Sequence, residues 1–430
     1  MADALLLLGV IILIGVVGNA LFSRTRIPES LFLILTGLLI GPVLGIVPSA
    51  FFSENLSFFV SFALVIVLVN SGMNLDLRNA MRTMRDVLLF TGLVFVSTIA
   101  ITTVALHYLF DWPLLHGIFL GIIVSGTTTV TITHLVNQLD PEGRMCKRTT
   151  KDLLVLESIF NDVTVIAGAS ILVAIIAPLH ASAQSVLTVI FNELAVSIIV
   201  GTILGALWVL LYAYHLHASK LSYIFTVGVA LLMYALAEFL GLNGAITVIS
   251  FAIIVGNYPL VLEAFRRGVH RANLRKAVDA MRKTDVEFTF LIRTFFFVLL
   301  GIVFDPSVLR VPLVLLVAGT VLACKLLARL LSSLTLGALI ARHRGDHSVR
   351  TTLVANGFTA TLAGFLGVQA GIAIPHLAEI VLLLVILTTT TAILSTAVHQ
   401  VIASRRPLPV KRNASAVRSA VSGRRRPRAR

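Results

Sequence analysis

Acid is scarce in this chain: Asp and Glu together number 20 in 430 residues, and charged residues of both signs make up only 13%. A soluble globular domain carries about twice that share, so a water-covered surface is excluded. Cysteine is nearly absent. Cys146 lies in a basic loop and Cys324 in an apolar run, too few for a disulfide framework and without metal-ligand spacing. No H-E-x-x-H motif, His/Ser pair or nucleotide-binding site occurs. His134 falls near the end of an apolar run and His180 in a loop, so neither suggests an enzyme or a metal centre. No cofactor is expected.

What is abundant is hydrocarbon. Hydrophobic residues reach 57%, with a mean hydropathy of +0.99. Many apolar runs are long enough for the roughly 20 helical residues that a bilayer crossing requires, which excludes a β-barrel. The chain reads as an all-α polytopic membrane protein. Its spans fall at about 4–22, 31–47, 57–74, 87–109, 115–136, 152–177, 186–213, 221–239, 243–258, 287–304, 311–338, 350–370 and 377–403, about thirteen in all. The run Leu5 to Ala20 has no basic n-region and leads directly into further spans, so it reads as a first helix rather than a signal peptide.

The formal charge of +14 comes from Arg and Lys in alternate loops and in the tail from Arg405 to Arg430. Membrane orientation accounts for that pattern and nucleic acid is not an expected partner. Basic loops mark the cytoplasmic side, giving an external N-terminus, a cytoplasmic C-terminus and a plasma-membrane location. The loop from Tyr258 to Val286 reads as a basic amphipathic helix lying along the cytoplasmic surface. Residues 404–430 read as a disordered basic tail that touches anionic lipid.

Against this background, the stretch Glu157-Ser158-Ile159-Phe160-Asn161-Asp162 is costly. A charge at the centre of a membrane helix costs about 2.5–3.5 kcal/mol on insertion scales, which makes an acid there a functional-site hypothesis. Asp162 lies near the midplane, with Ser158 one turn away on its face; Glu157 and Asn161 form the adjoining face. Two other runs are interrupted by small and hydroxyl residues: Ser125-Gly126-Thr127-Thr128-Thr129, and Ala355-Asn356-Gly357-Phe358-Thr359-Ala360-Thr361. By the topology above they run in opposite directions. Paired interruptions in two halves point to a transporter site, because unwound backbone at membrane depth is tolerated where it lines a cavity or binds an ion. Lys325 and Arg329 lie well inside an apolar run and need an acidic partner, for which Glu157 is the natural candidate. Asp162 is then left to hold a proton or a monovalent cation in competition, with Ser158 and Thr127 hydroxyls as further oxygen ligands.

At these residues the chain resembles the cation:proton antiporter superfamily, in its sodium/proton exchanger (NhaP-like) branch. Glu157 to Asp162 matches the branch's E-S-x-x-N-D motif. Arg26-Ile27-Pro28 before Gly41-Pro42, Gly241-Leu242-Asn243-Gly244 before Gly256-Asn257, and Phe295 to Gly301 support it. The resemblance implies inverted repeats with two crossed discontinuous helices at Gly126–Thr129 and Asn356–Thr359. It implies a transmembrane domain over 1–403, with a mobile core of about 87–177 and 311–370 and the remainder forming a homodimer contact. It further implies electroneutral exchange of Na+, Li+ or K+ for H+ at Asp162, with Asn161, Ser158, Thr127 and Thr128 around the ion. Glu157 would pair with a basic residue of the eleventh span, Lys325 or Arg329. The chain departs from the branch at T-D-P, which reads Thr127-Thr128-Thr129, and at G-L-E, which reads Gly72-Met73-Asn74. Loss of those acids also fits a channel or an ion or pH sensor of the same fold.

Overall fold

The computed structural model describes residues 9–18, 29–46, 56–75, 77–139, 147–176, 183–214, 222–264 and 271–404. Among these there is no strand. In hydrocarbon every backbone polar group must be satisfied within its own segment, which leaves the helix as the default. In chain order the helices are α1 (Gly9–Gly18), α2 (Glu29–Leu38), α3 (Leu56–Asn74), α4 (Leu77–Phe110), α5 (Leu114–Ser125) and α6 (Thr129–Leu139). There follow α7 (Arg148–Ile176), α8 (Ala183–Tyr214), α9 (Ser222–Phe239), α10 (Gly244–Gly256) and the short α11 (Tyr258–Ala264). The last are α12 (Arg271–Val303), α13 (Pro312–Leu339), α14 (His347–Thr352), α15 (Phe358–Gln369) and α16 (Leu377–Ser404).

Seven of these helices are long and apolar enough to cross a membrane, and α5 with α6 forms a further span bent by 44°. Five shorter apolar helices accompany them, among them α1, α3, α10 and α15. Every span expected from hydropathy therefore has a helix at its place. Two boundaries differ. The fourth span starts at Leu77 rather than near 87. The basic stretch before the tenth span is no separate surface helix from 271 onward, because α12 is continuous from Arg271 to Val303. No proline or glycine interrupts it before Gly301, so helical propensity carries past the end of the apolar run. Asp76, Cys146, His180 and the tail 405–430 lie outside the described residues.

Packing places the seam that matters. One apolar cluster joins α2, α3, α9, α10 and α12, and a second joins α5, α13 and α16. Three helices, α7, α15 and α16, contribute to both. From α7, Ile166 enters the first and Val165, Ala169 and Leu172 the second; from α15, Phe358, Leu362 and Phe365 enter the first and Ala360 and Ala363 the second. Phe296 of α12 meets Phe358 and Phe365 edge-on, at 4.9 and 6.0 Å between ring centroids. Outward leucines such as Leu204, Leu207 and Leu211 on α8, and Leu327, Leu331 and Leu334 on α13, are exposed. Their three- and four-residue spacing gives each helix one lipid-facing stripe.

Candidate ion-binding site

Two breaks in helical structure cross at the centre of the molecule. Residues 126–128 separate α5 from α6, and 353–357 separate α14 from α15. Gly126 is extended, with φ −68° and ψ 159°, and the Thr128 amide donates to the Ala355 carbonyl at 2.8 Å, tying one break to the other. Gly357 is required by this approach, since a Cβ there would lie 2.6 Å from the Thr128 Cβ. A helix that stops leaves carbonyls unpaired, and one that starts leaves N–H groups unpaired, so partial charges of both signs collect at the crossing.

Lys325 takes the negative side. Fully buried on α13, its ammonium donates to the carbonyls of Gly126 and Val354, both at 2.8 Å, and to Asn356 Oδ1. Asn356 is fixed in turn, its amide N–H donating to Thr388 Oγ1 at 3.0 Å and its carbonyl accepting from Thr389 Oγ1 at 3.2 Å. Backbone carbonyls that a membrane helix would otherwise satisfy internally are thus met by one point charge.

Asp162 takes the positive side. Thr129 Oγ1 donates to its Oδ2 at 2.9 Å and Thr359 Oγ1 to its Oδ1 at 2.7 Å. Thr129 opens α6 and Thr359 lies in the first turn of α15, so the carboxylate stands at two helix N-termini, where anions are favoured. Among the described residues no Lys, Arg or His forms an ion pair with it. It lines a cavity of about 240 Å³ shared with Thr128, Asn70, Asn74, Thr289 and Arg293. The cavity reaches open surface where Val286 is 63% exposed.

Glu157 is committed elsewhere. Arg329 grips it with two bonds, Nη1 to Oε1 at 2.8 Å and Nη2 to Oε2 at 3.1 Å, both side chains fully buried. Arg329 Nε also donates to the Arg350 carbonyl at 3.0 Å. Of the two basic candidates, Arg329 is therefore the partner and Lys325 is not. The planar guanidinium fork matches a carboxylate in two parallel bonds, whereas a compact ammonium suits converging carbonyls. Asn161 joins the pair to the crossing: its Nδ2 donates to Glu157 Oε1 at 2.5 Å and to Thr127 Oγ1 at 3.2 Å. Its Oδ1 is buried with no hydrogen-bond partner, an acceptor next to Asp162 in sequence.

The structure brings Asp162 together with Thr129 and Thr359 rather than with Ser158 and Thr127. The Ser158 hydroxyl donates back to the Val155 carbonyl at 2.8 Å, as Ser often does within a helix. The Thr127 hydroxyl accepts from Asn161. In the sequence Thr129 and Thr359 stand out only as parts of the breaks; what sets them apart is their position in the first turn after each one. Sequence reasoning also missed Arg350, which is fully buried and donates to Ser333 Oγ at 2.9 Å and to the His343 carbonyl at 2.7 Å.

The pattern of the sodium/hydrogen exchangers, in its transmembrane part, matches residues 9–400. The chain belongs to the sodium/hydrogen exchanger family. Within the family it is similar to the K(+)/H(+) antiporter NhaP2 of Shewanella oneidensis, 26% identical over 339 residues that cover 77% of this chain and 55% of that protein. It is also similar to the K(+)/H(+) antiporter NhaP of Alkalimonas amylolytica, 27% identical over 208 residues, 48% of this chain and 36% of that one. The chain spans about half the length of the first of these relatives. Its fold matches the sodium proton antiporter MjNhaP1 of Methanocaldococcus jannaschii, solved at pH 8, with a TM-score of 0.72 over 94% of this chain and 98% of that one at 19% identity. The crossed, broken helices of this membrane protein are those of the antiporter fold.

Proposed function

We propose that the protein is a secondary antiporter that exchanges a monovalent cation, Na+, Li+ or K+, for a proton, both competing for Asp162. The observation that carries this is the contrast between two acids of one helix. Glu157 is held by Arg329, while Asp162 accepts, among the described residues, from two hydroxyls alone and faces a cavity. A carboxylate bonded to neutral donors can release them to a proton or to a cation, and cannot hold both. With Asn161 neutral and Glu157 permanently paired, one proton leaves for each monovalent cation bound, and the cycle is electroneutral.

Alternating access follows from the seam. A second cavity, of about 360 Å³, lies between the same elements farther along α7 and α15, lined by Ser170, Tyr234, Glu238, Asn243 and Gln369. Along α7 and α15, Ile166, Leu362 and Phe365 fall between the residues that line the two cavities, and all three are buried in one apolar cluster. Movement of α7 and α15 against α3, α9 and α10 would open one cavity as the other closes. The same plug argues against a continuously open channel. Reading the basic ends of α4 and α12 as cytoplasmic, the cavity at Asp162 faces the cytoplasm and the N-terminus lies outside. The mobile core then comprises about 87–177 and 311–370, and the remaining helices hold a homodimer together in a lipid bilayer such as the plasma membrane.

The test is exchange in proteoliposomes. With an imposed proton gradient, each cation is added and internal pH followed, for wild type and Asp162→Asn. Cation-dependent alkalinisation in the wild type and none in the variant supports the reading; no response to any of the three ions, or an active variant, removes it.

A further inference from the structure

A second carboxylate stands behind the wall of the same cavity. Asp285 of α12 is fully buried. Tyr223 of α9 donates its hydroxyl to Oδ1 at 2.9 Å, and Asn70 of α3 donates its amide to Oδ2 at 2.6 Å. Thr289, one turn along, approaches Oδ1 at 3.5 Å. Three helices thus send polar groups to one acid where apolar side chains would pack them at no desolvation cost. Among the described residues no Lys, Arg or His pairs with it. Arg282, three residues earlier on the same helix, turns its guanidinium to the carbonyls of Met73 at 3.0 Å and Gly256 at 3.2 Å instead. Arg293 is the cation that lines the cavity itself, two turns farther on, and it has contacts of its own.

Two of the groups that hold Asp285 also line that cavity: Asn70 and Thr289 share it with Asp162. Rotation of the Asn70 amide would present Asp285 to an ion in the cavity, with the Asn70 carbonyl and the Thr289 and Tyr223 oxygens as further hard ligands. We propose that Asp285, with Asn70 as its gate, is a second monovalent-cation site in the cytoplasmic vestibule, which gathers the ion before it reaches Asp162. The site supplies negative charge to a vestibule in which Asp162 is the only lining carboxylate among the described residues, and it acts from one face of the membrane. This inference rests on the reading of Asp162 as the exchanging site.

That one-sidedness gives the test. Cation-dependent exchange is measured in everted and in right-side-out vesicles, for wild type, Asp285→Asn and Asp285→Glu. The expected result for Asp285→Asn is a rise of about five- to tenfold in the apparent KM at the cytoplasmic face, with the external KM and the maximal rate within about twofold of wild type. Asp285→Glu should restore most of the affinity. An unchanged cytoplasmic KM, or equal shifts at both faces, overturns the proposal, the latter marking a purely structural role. Where Asp285→Asn does not fold, Asn70→Ala carries the same expectation, and an unaltered cytoplasmic KM in that variant is equally fatal. If Asp162→Asn is inactive while Asp285→Asn is unaffected, only the second site is lost; a wild type that does not exchange removes both.

Discussion

Cutting Arg329 to alanine should be among the most damaging single changes in this protein, and its cost can be worked from the contacts. The substitution removes two charge-assisted bonds, at 2.8 and 3.1 Å, and leaves the fully buried Glu157 with the Asn161 amide alone. It also removes the bond to the Arg350 carbonyl and the stacking of the guanidinium over Phe90 at 5.7 Å. Breaking a buried pair by deleting one partner typically costs about 3–5 kcal/mol, whereas replacing both partners with neutral groups of similar volume is often close to neutral. The cycle Arg329→Met, Glu157→Gln and the double variant should therefore give a coupling of about 3 kcal/mol, read from denaturant or thermal unfolding in detergent. The parallel cycle with Lys325→Met and Glu157→Gln should give a coupling below about 1 kcal/mol, since the Lys325 ammonium is spent on Gly126, Val354 and Asn356. A larger coupling to Lys325 than to Arg329, or an Arg329 variant as stable as wild type, would refute this assignment.

Three further outcomes can be checked. Gly357→Ala should abolish exchange while leaving the protein folded, because the new methyl carbon would stand 2.6 Å from the Thr128 Cβ and force the two breaks apart; an active variant in the proteoliposome assay would contradict this crossing. Thr129→Val with Thr359→Val should weaken cation affinity about tenfold or more without altering the fold, as both hydroxyls on Asp162 are lost; unchanged KM would mean they take no part. His343, in the short turn after α13, donates from Nε2 to Asp86 Oδ2 at 2.5 Å, and burial holds its imidazole below the usual 6.5 despite that carboxylate. Its neutral form therefore adds stability above about pH 6.5, which is lost as the pH falls through the lowered value. The thermal midpoint of the wild type should drop below pH 6.5 more steeply than that of His343→Gln, and parallel curves would show that this group does not contribute.

The spans were legible because each is a continuous apolar run, and the two breaks because Gly and Thr interrupt such runs. Boundaries failed at α4 and α12, where helix continues into charged sequence: Leu77 and Arg271 start helices well before the apolar runs do. Hydropathy sees the membrane and not the helix that extends beyond it. Asp162 was recognisable as costly, but its neighbours depend on how three helices meet. Ser158 and Asp162 share a face, yet the Ser158 hydroxyl returns to its own helix. Lys325 and Arg329 are one turn apart, and only their rotation and depth against Glu157 and the crossing distinguish them. Asp285 lies among Arg282, Lys283 and Glu287 and reads as part of a solvated helix end; its burial comes from α3 and α9, which are distant in sequence.

Competition between the two ions for one carboxylate is the claim on which the rest depends, and the pH dependence of cation affinity tests it directly. Exchange rates measured against cation concentration at a series of pH values should show the apparent KM rising toward about tenfold per pH unit on the acid side, with the maximal rate nearly constant. A KM that stays level while the maximal rate changes with pH would place the proton and the cation on different groups, and Asp162 would not be their shared site.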